Sequence, residues 1–447
     1  MAGEVARAGD EGYEAAARSF FATGAPAVVV RPRGPDQVAA AIAHAGRNAL
    51  AVSVRSGGHS PLGHGTNTGG MVIDLAHLDD VQVLDTGRRL VRVGGGATWG
   101  RVGSALDPYG WAVTAGDTAD VGVGGLTLGG GIGWMVRRYG LTIDNLAGAR
   151  VVTADGRLLS ASPDEHPDLF WALRGGGGNF GVVVDFDFVA QPVRIVHFGM
   201  VVYRLGDPAD LMARWRDAMR AAPEELSSTL ALPPRAPDGP ASAVVLLCFA
   251  GAPGTTAGEA RAAIEPLREL GTVTAVNVSE RRYCEILENA TPPPNLRRAT
   301  RDTLVAHLDD ALIADVVRLH AGPVPAAVAV RSLGGAFGRV PADATAFAHR
   351  DAEAMIVALL TLPGTAADQE VEQALRPWHA VAAHGTGTYV NFQGSATAAD
   401  LASAYPAATY ARLAEVKRAY DPGNLFALNH NIEPAGRRRH RRDGVTG

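Results

Sequence analysis

Four glycine clusters lie within the first 181 residues: Arg55-Ser56-Gly57-Gly58-His59-Ser60, Gly94-Gly95-Gly96, residues 122–133 and residues 175–181. The third, GVGGLTLGGGIG, carries seven glycines in twelve positions. A glycine lets backbone N–H groups approach phosphate oxygens because no Cβ intervenes. One such cluster would make no more than a tight turn, but four in one stretch point to a bound phosphate ligand. Two ligand classes drop out at once. No G-x-x-x-x-G-K-[ST] occurs, so the chain is not a P-loop nucleotidase. The G-x-G-x-x-G at Gly176, Gly178 and Gly181 follows a helical stretch and opens a strand, the reverse of a Rossmann loop. His59 closes the first cluster. A lone loop histidine is ordinarily exposed or capping, so its glycine neighbours are what single it out.

The elements that must position these loops are short. Residues 27–30, 52–55, 71–75 and 90–93 read as strands rich in β-branched residues, and 37–45 and 99–106 as helices. Residues 149–153 and 158–160 flank Ala154-Asp155-Gly156, a hairpin signal. A helical turn at 169–173 precedes a strand at 181–189. From about residue 195 the texture changes. Residues 197–205, 242–250, 272–278 and 326–333 read as strands, and 207–221, 256–270, 303–321 and 343–353 as helices, which predicts an antiparallel sheet backed by helices. Gln191-Pro192 is the natural boundary. A last helix, 402–420, stops at Asp421-Pro422-Gly423-Asn424. No internal repeat is present.

The chain's 447 residues exceed one ordinary core, so two domains are the default. Hydrophobic residues at 47% and charged residues at 19% are globular proportions. A net charge of -5 argues against nucleic acid as a partner. The basic run at 437–442, in GRRRHRRD, reads as a solvated tail. Cys248 and Cys284 form no CxxC pair, so neither a metal site nor a disulfide framework is supported. The N-terminal stretch MAGEVARAGDEGYEAAARSF lacks a signal peptide's apolar run. No segment reaches the ~18 uninterrupted apolar residues of a membrane span. The expectation is a cytoplasmic protein without a membrane partner; its oligomeric state is open.

Against this background four segments carry a family resemblance. VSVRSGGHSPLGHGTNTGGMVIDL (52–75) resembles the FAD-binding segment of the flavin-linked oxidases related to vanillyl-alcohol oxidase. VGVGGLTLGGGIGWMVRRYGLTIDNL (121–146) and LFWALRGGGGNFGVVVDFDF (169–188) resemble their second and third flavin segments. YVNF (389–392), followed by YDPGNLFALNHNI (420–432), resembles the closing module of the berberine bridge enzyme-like subgroup, in its bacterial, hydroxynicotine oxidase-like branch. The order is kept from about residue 25 to 435. Residues 195–385 match in texture alone, which leaves the substrate open.

The resemblance implies an α+β protein. A two-part FAD-binding domain of PCMH type would span 1–193, a substrate domain with its helix-backed antiparallel sheet 194–400, and a C-terminal module returning to the FAD domain 401–447. It implies FAD bonded through His59 to the flavin C8 methyl, with Gly57 and Gly58 leaving room for the ring. Arg55, Ser56, Ser60, Gly116, Val121, Gly122, Gly124, Gly125, Thr127, Gly129, Gly130, Gly131, Val183, Asn391 and Asn429 would complete the cofactor site. Some relatives add a bond from a cysteine three residues before the Val-Gly-Val-Gly-Gly run. Thr118 stands there and cannot form a thioether, so one covalent bond is expected. Val121, which opens that run, is the position where a small side chain accompanies oxygen access in relatives. Many relatives carry a tyrosine at the second aromatic of Tyr-x-Asn-aromatic, where Phe392 stands here. Tyr389 and Tyr139 are then candidates for the catalytic role, and His384 by type only; the base is unassigned. The implied reaction is oxidation of a small molecule, a secondary-metabolite alcohol, a sugar or an amine, by hydride transfer to flavin N5, with molecular oxygen reduced to hydrogen peroxide. The alternatives are a dehydrogenase with another acceptor, a flavin-bearing cyclase without net redox chemistry, and a binding protein that retains the fold.

Overall fold

The computed structural model describes residues 4–234, 241–289, 296–324 and 326–436; the basic run at 437–442 lies outside them. Three sheets organise the chain. The first is four-stranded, in the order Glu4–Ala6, Val28–Arg31, Met71–Asp74, Val52–Arg55, and its last three strands run parallel. VVVR and MVID are near-continuous apolar runs, as expected of strands covered on both faces. Helix Pro35–Arg47 covers one face. It has Pro at its first position, Asp36 in its first turn and Arg47 in its last, all favourable to the helix dipole. Its buried side chains Val38, Ala41, Ile42 and Ala45 follow helical spacing.

The second sheet has the order Val81–Asp85, Leu90–Gly94, Val182–Val189, Leu146–Val152, Leu158–Ala161. Its last two strands are the expected hairpin, with Gly156 at φ +83° in the turn. Val152, Val182 and Val184 reach from it into the core of the first sheet, so the two sheets share apolar packing.

The third sheet is the helix-backed antiparallel sheet. Its seven strands run Val273–Arg282, Ile195–Arg204, Ser242–Phe249, Leu226–Leu232, Ala326–Ser332, Ala354–Pro363, Leu296–Val305. Helices Pro208–Ala221 and Asp310–His320 supply Leu211, Met212, Trp215, Leu312, Ile313 and Val316 to the core beneath it.

The C-terminal segment then turns back. Phe426 is buried in the core of the first sheet. Lys417, fully buried, donates from Nζ to Asn179 O at 2.7 Å, Phe426 O at 3.0 Å and Asp421 Oδ2 at 2.7 Å. A buried ammonium persists only with such compensation.

Several expected elements are corrected. The helix expected at 303–321 is Asp310–His320 alone. Thr303 and Val305 end the strand Leu296–Val305, paired with Ile356 and Ala354, and Asp309 Oδ1 caps the helix at 2.8 Å. Residues 343–353 are not helical. Their polar groups are taken up by tertiary partners, chiefly Arg350, which grips Asp144 through two bonds of 2.8 Å. The last helix is broken into Ala398–Ala404 and Ala407–Tyr420 at Pro406, which cannot continue a helix from its interior. Strands Leu226–Leu232 and Ala354–Pro363 escape the sequence reading.

Candidate functional site

A cavity of about 500 Å³ runs along the glycine loops to the seven-stranded sheet. Its floor is one hydrogen-bonded unit. Ser56 Oγ donates to Gly95 O at 2.7 Å and accepts from Gly124 N at 3.2 Å, tying three glycine clusters together. Gly57 and Gly122 meet back to back, where a Cβ on Gly57 would stand 2.3 Å from Gly122 N. Gly95 and Gly96 serve packing rather than a ligand, since their Cβ atoms would strike the carbonyls of Val183 and Leu75 at 2.3 and 1.8 Å. Gly125 and Gly178 are different. A Cβ on either would meet no protein atom within 4 Å, and both line the cavity.

Of the residues singled out in the sequence, Arg55 through Ser60, Gly116, Val121, Gly122, Gly124, Gly125, Gly129, Val183, Asn391, Asn429 and Tyr389 line this cavity. Thr127, Gly130, Gly131 and Tyr139 lie outside its lining. Gly131 N donates to Tyr389 Oη at 3.0 Å, Gly130 packs at Phe347, and Thr127 is fully buried. The Tyr139 ring packs under the Arg138 guanidinium, 4.9 Å from its centroid. His384 is paired with Asp315 at 2.9 Å on the helix side of the large sheet. Arg55 is buried and donates to Asp74 at 2.6 Å and Arg18 O at 2.7 Å, so it braces the loop that carries His59.

His59 stacks on Phe20 at 4.4 Å, and its Nε2 lies 3.4 Å from Asp120 Oδ2. Burial lowers its pKa, against the opposing pull of Asp120, so the imidazole is held toward the neutral form. Thr118 lines the cavity beside Asp117 and donates to it at 3.1 Å. Burial works to raise the Asp117 carboxyl, but Arg331, 2.6 Å away, overrides it and the net shift is downward.

At the other end Tyr389 Oη accepts from Gly131 N, from Ile132 N at 3.3 Å and from Asn391 Nδ2 at 2.9 Å. Burial raises the phenol's pKa in spite of those donors. Tyr389 N donates to Asp302 Oδ2 at 2.6 Å, and burial pushes the Asp302 carboxyl up to about 7. Phe392 also lines this end. Among the lining residues that were not anticipated are Arg298 and Thr300 from one strand of the large sheet and Val357 and Leu359 from its neighbour. His64 and His430 line the cavity too, with ring centroids 5.2 Å apart, and burial holds each at about 4. His430 stands in the quoted NHNI run, so its presence had a sequence signal; Arg298 had none.

A glycine-lined cavity with a neutral loop histidine, closed by a returning C-terminal segment, is the architecture of a flavin-linked oxidoreductase. The chain belongs to the berberine bridge enzyme-like family of FAD-linked oxidases: residues 26–162 match the family described as FAD binding domain, and residues 388–433 that described as Berberine and berberine like. It is 32% identical over 464 residues to (R)-6-hydroxynicotine oxidase of Paenarthrobacter nicotinovorans, a match covering 97% of each chain. It is 30% identical to the uncharacterized FAD-linked oxidoreductase YgaK of Bacillus subtilis (strain 168), covering 92% of each. The crystal structure of 6-hydroxy-D-nicotine oxidase from Arthrobacter nicotinovorans matches with a TM-score of 0.86 at 29% identity, over 97% of this chain and 98% of that one. The xylooligosaccharide oxidase from Myceliophthora thermophila matches at 0.85 and 24% identity over 97% of each, a likeness of fold.

The protein is thus an FAD-linked oxidoreductase on a PCMH-type α+β fold, with FAD as its cofactor. The cavity fits that group on its own terms. Beyond the open faces at Gly125 and Gly178, the lining residues Asn429 and His430 keep Oδ1 and Nε2 buried without a protein partner, as polar atoms awaiting a polar ligand would be. No helix among the described residues is long and apolar enough to cross a membrane.

Proposed function

We propose that this protein is an oxidase that carries its FAD covalently on His59 and oxidises a small organic substrate, with molecular oxygen as the acceptor. The observation that carries this reading is the neutral, half-buried His59 in the lining of one cavity that also takes in Val121 and residues of the seven-stranded sheet. The bound flavin supplies hydride acceptance at N5 and the return of electrons to oxygen. The chain supplies the rest. The loops 56–60 and 122–130, the latter through its cavity-lining members Gly122, Gly124, Gly125 and Gly129, would hold the diphosphate through backbone groups, Asn391 and Asn429 would hold polar edges of the cofactor, and Phe392 would lie toward its substrate side. Thr118 offers no thiol, so His59 is the sole attachment. Tyr389 is the ionisable side chain of the closing Tyr-x-Asn-aromatic run, but with its Oη engaged by Gly131 N, Ile132 N and Asn391 Nδ2 its role is to position the glycine run and Asn391, and the base is unassigned. Residues 1–193 with 401–447 act as the cofactor part and 194–400 as the substrate part.

Acid precipitation of the purified protein, followed by an oxygen-electrode and peroxide assay, tests this. Yellow colour in the pellet and peroxide formed on turnover are expected. A colourless pellet over a yellow supernatant removes the covalent link. A flavin that substrate reduces but oxygen does not reoxidise makes the protein a dehydrogenase, and one that substrate never reduces makes it a cyclase or a binder.

A further inference from the structure

The strand Leu296–Val305 pairs antiparallel with Ala354–Pro363, placing Arg298 opposite Thr361, Thr300 opposite Leu359 and Asp302 opposite Val357. Residues directly opposite share a face of the sheet, as do residues two apart on one strand. Arg298, Thr300, Val357 and Leu359 accordingly all look into the cavity.

The other permanent charges in the lining are matched. Arg55 is paired with Asp74 and Asp117 with Arg331, each at 2.6 Å. Arg298 is exposed and has no acidic partner among the described residues. A guanidinium is always charged and presents a planar fork suited to a carboxylate. Beside it on the same face of the sheet stand Leu359 and Val357, with Thr300 adding one hydroxyl, and Ile132, Leu128 and Phe392 belong to the same lining. Each sugar hydroxyl turned toward Val357 and Leu359 would lack a partner, which is unfavourable. A protonated amine would meet a charge of its own sign.

We propose, building on the oxidase reading above, that the substrate is a small apolar organic acid whose carboxylate is received by Arg298, so that the oxidisable carbon is held toward the flavin by the apolar body between. Arg298 is then the specificity-determining residue of the substrate part, and an anionic substrate distinguishes this protein from oxidases of sugars and of amines.

The test uses the flavin-loaded full chain, titrated with benzoate and with benzyl alcohol, a neutral analogue that lacks the carboxylate, reading the visible difference spectrum of the flavin. Benzoate is expected to bind about two- to fivefold more tightly than benzyl alcohol, as an exposed guanidinium–carboxylate pair implies, and to weaken as salt is raised. Arg298→Gln should erase the preference while leaving benzyl alcohol binding and flavin content unchanged. Arg298→Lys should keep part of it, because a point charge replaces the fork. Equal affinities in the wild type, or a preference that survives in Arg298→Gln, overturns the assignment. A yellow protein indifferent to benzoate sinks the anion site alone, whereas a protein that takes up no flavin sinks the oxidase reading beneath it.

Discussion

At His59 two influences compete, and their balance decides what the residue can do. Burial against Phe20 favours the neutral ring, and Asp120 at 3.4 Å favours the charged one; burial prevails and the pKa is lowered. A neutral imidazole keeps a lone pair for bonding carbon. His59→Ala should therefore abolish acid-stable flavin fluorescence on a denaturing gel while the fold persists, since no main-chain geometry depends on the ring. A tryptic flavopeptide that contains Cys248 or Cys284 would overturn attachment at His59. The neighbouring Gly58 needs a reading different from the one its sequence suggests. At φ +72° its Cβ would face the Arg55 side chain at 3.3 Å, not the cavity, so Gly58→Val acts through backbone strain of about 1–2 kcal/mol. His59, Val121 and the glycine runs are legible in the sequence because each is a contiguous motif. Arg298 is not legible. Its place in the cavity follows from the pairing register of a strand whose sequence, LRRATRDTLV, has too little apolar alternation to announce itself.

The glycine-rich loop and the seven-stranded sheet both line the cavity, and Val121 is among the lining residues. It opens the loop just before helix Val123–Leu128, and its carbonyl accepts from Trp99 N at 3.1 Å. That bond fixes the backbone and leaves side-chain size as the free variable. In a close-packed wall one added methylene can close the path of a diatomic molecule. Val121→Leu should slow reoxidation of photoreduced enzyme by oxygen at least about tenfold, with reduction by substrate nearly unchanged; stopped-flow mixing with oxygen would measure both. Equal reoxidation rates in the two proteins would remove the gate from Val121. Sequence patterning reaches elements of this kind when they are local, as with the hairpin Leu146–Val152 to Leu158–Ala161 or the helix Trp99–Leu106. It fails at residues 343–353, where an apolar-polar pattern compatible with a helix is overridden by the tertiary grip of Arg350 on Asp144. The strand Ala354–Pro363 that follows, AMIVALLTLP, is an apolar run that periodicity alone does not distinguish from a buried helix.

On the scale of the whole molecule, the chain's two ends of function meet where the first glycine loop touches the C-terminal segment. There the His64 and His430 rings pack edge to face at 5.2 Å, and burial lowers each imidazole from 6.5 to about 4. Between those limits the unfolded chain binds protons that the fold refuses, so stability is present in full above 6.5 and declines as pH falls toward 4. Each ring is worth up to about 3 kcal/mol over that window. His349, also lowered by burial, acts in the same direction. Asp302 opposes them. Its carboxyl is raised from 3.8 to about 7, so it remains protonated in the fold and favours the folded state as the medium becomes more acid. Three imidazoles against one carboxyl leave the acid loss ahead. The thermal midpoint of the holoprotein should therefore fall steadily from pH 6.5 to pH 4. In His64→Phe, which keeps the ring contact and cannot titrate, the fall should be smaller by a clear fraction, and His430 should contribute less as well once its like-charged neighbour is gone, because that repulsion is part of what lowers it. Midpoints that track each other over the whole range in wild type and His64→Phe would show that the pair carries no linkage and that the junction of the glycine loop with the C-terminal segment is insensitive to protons.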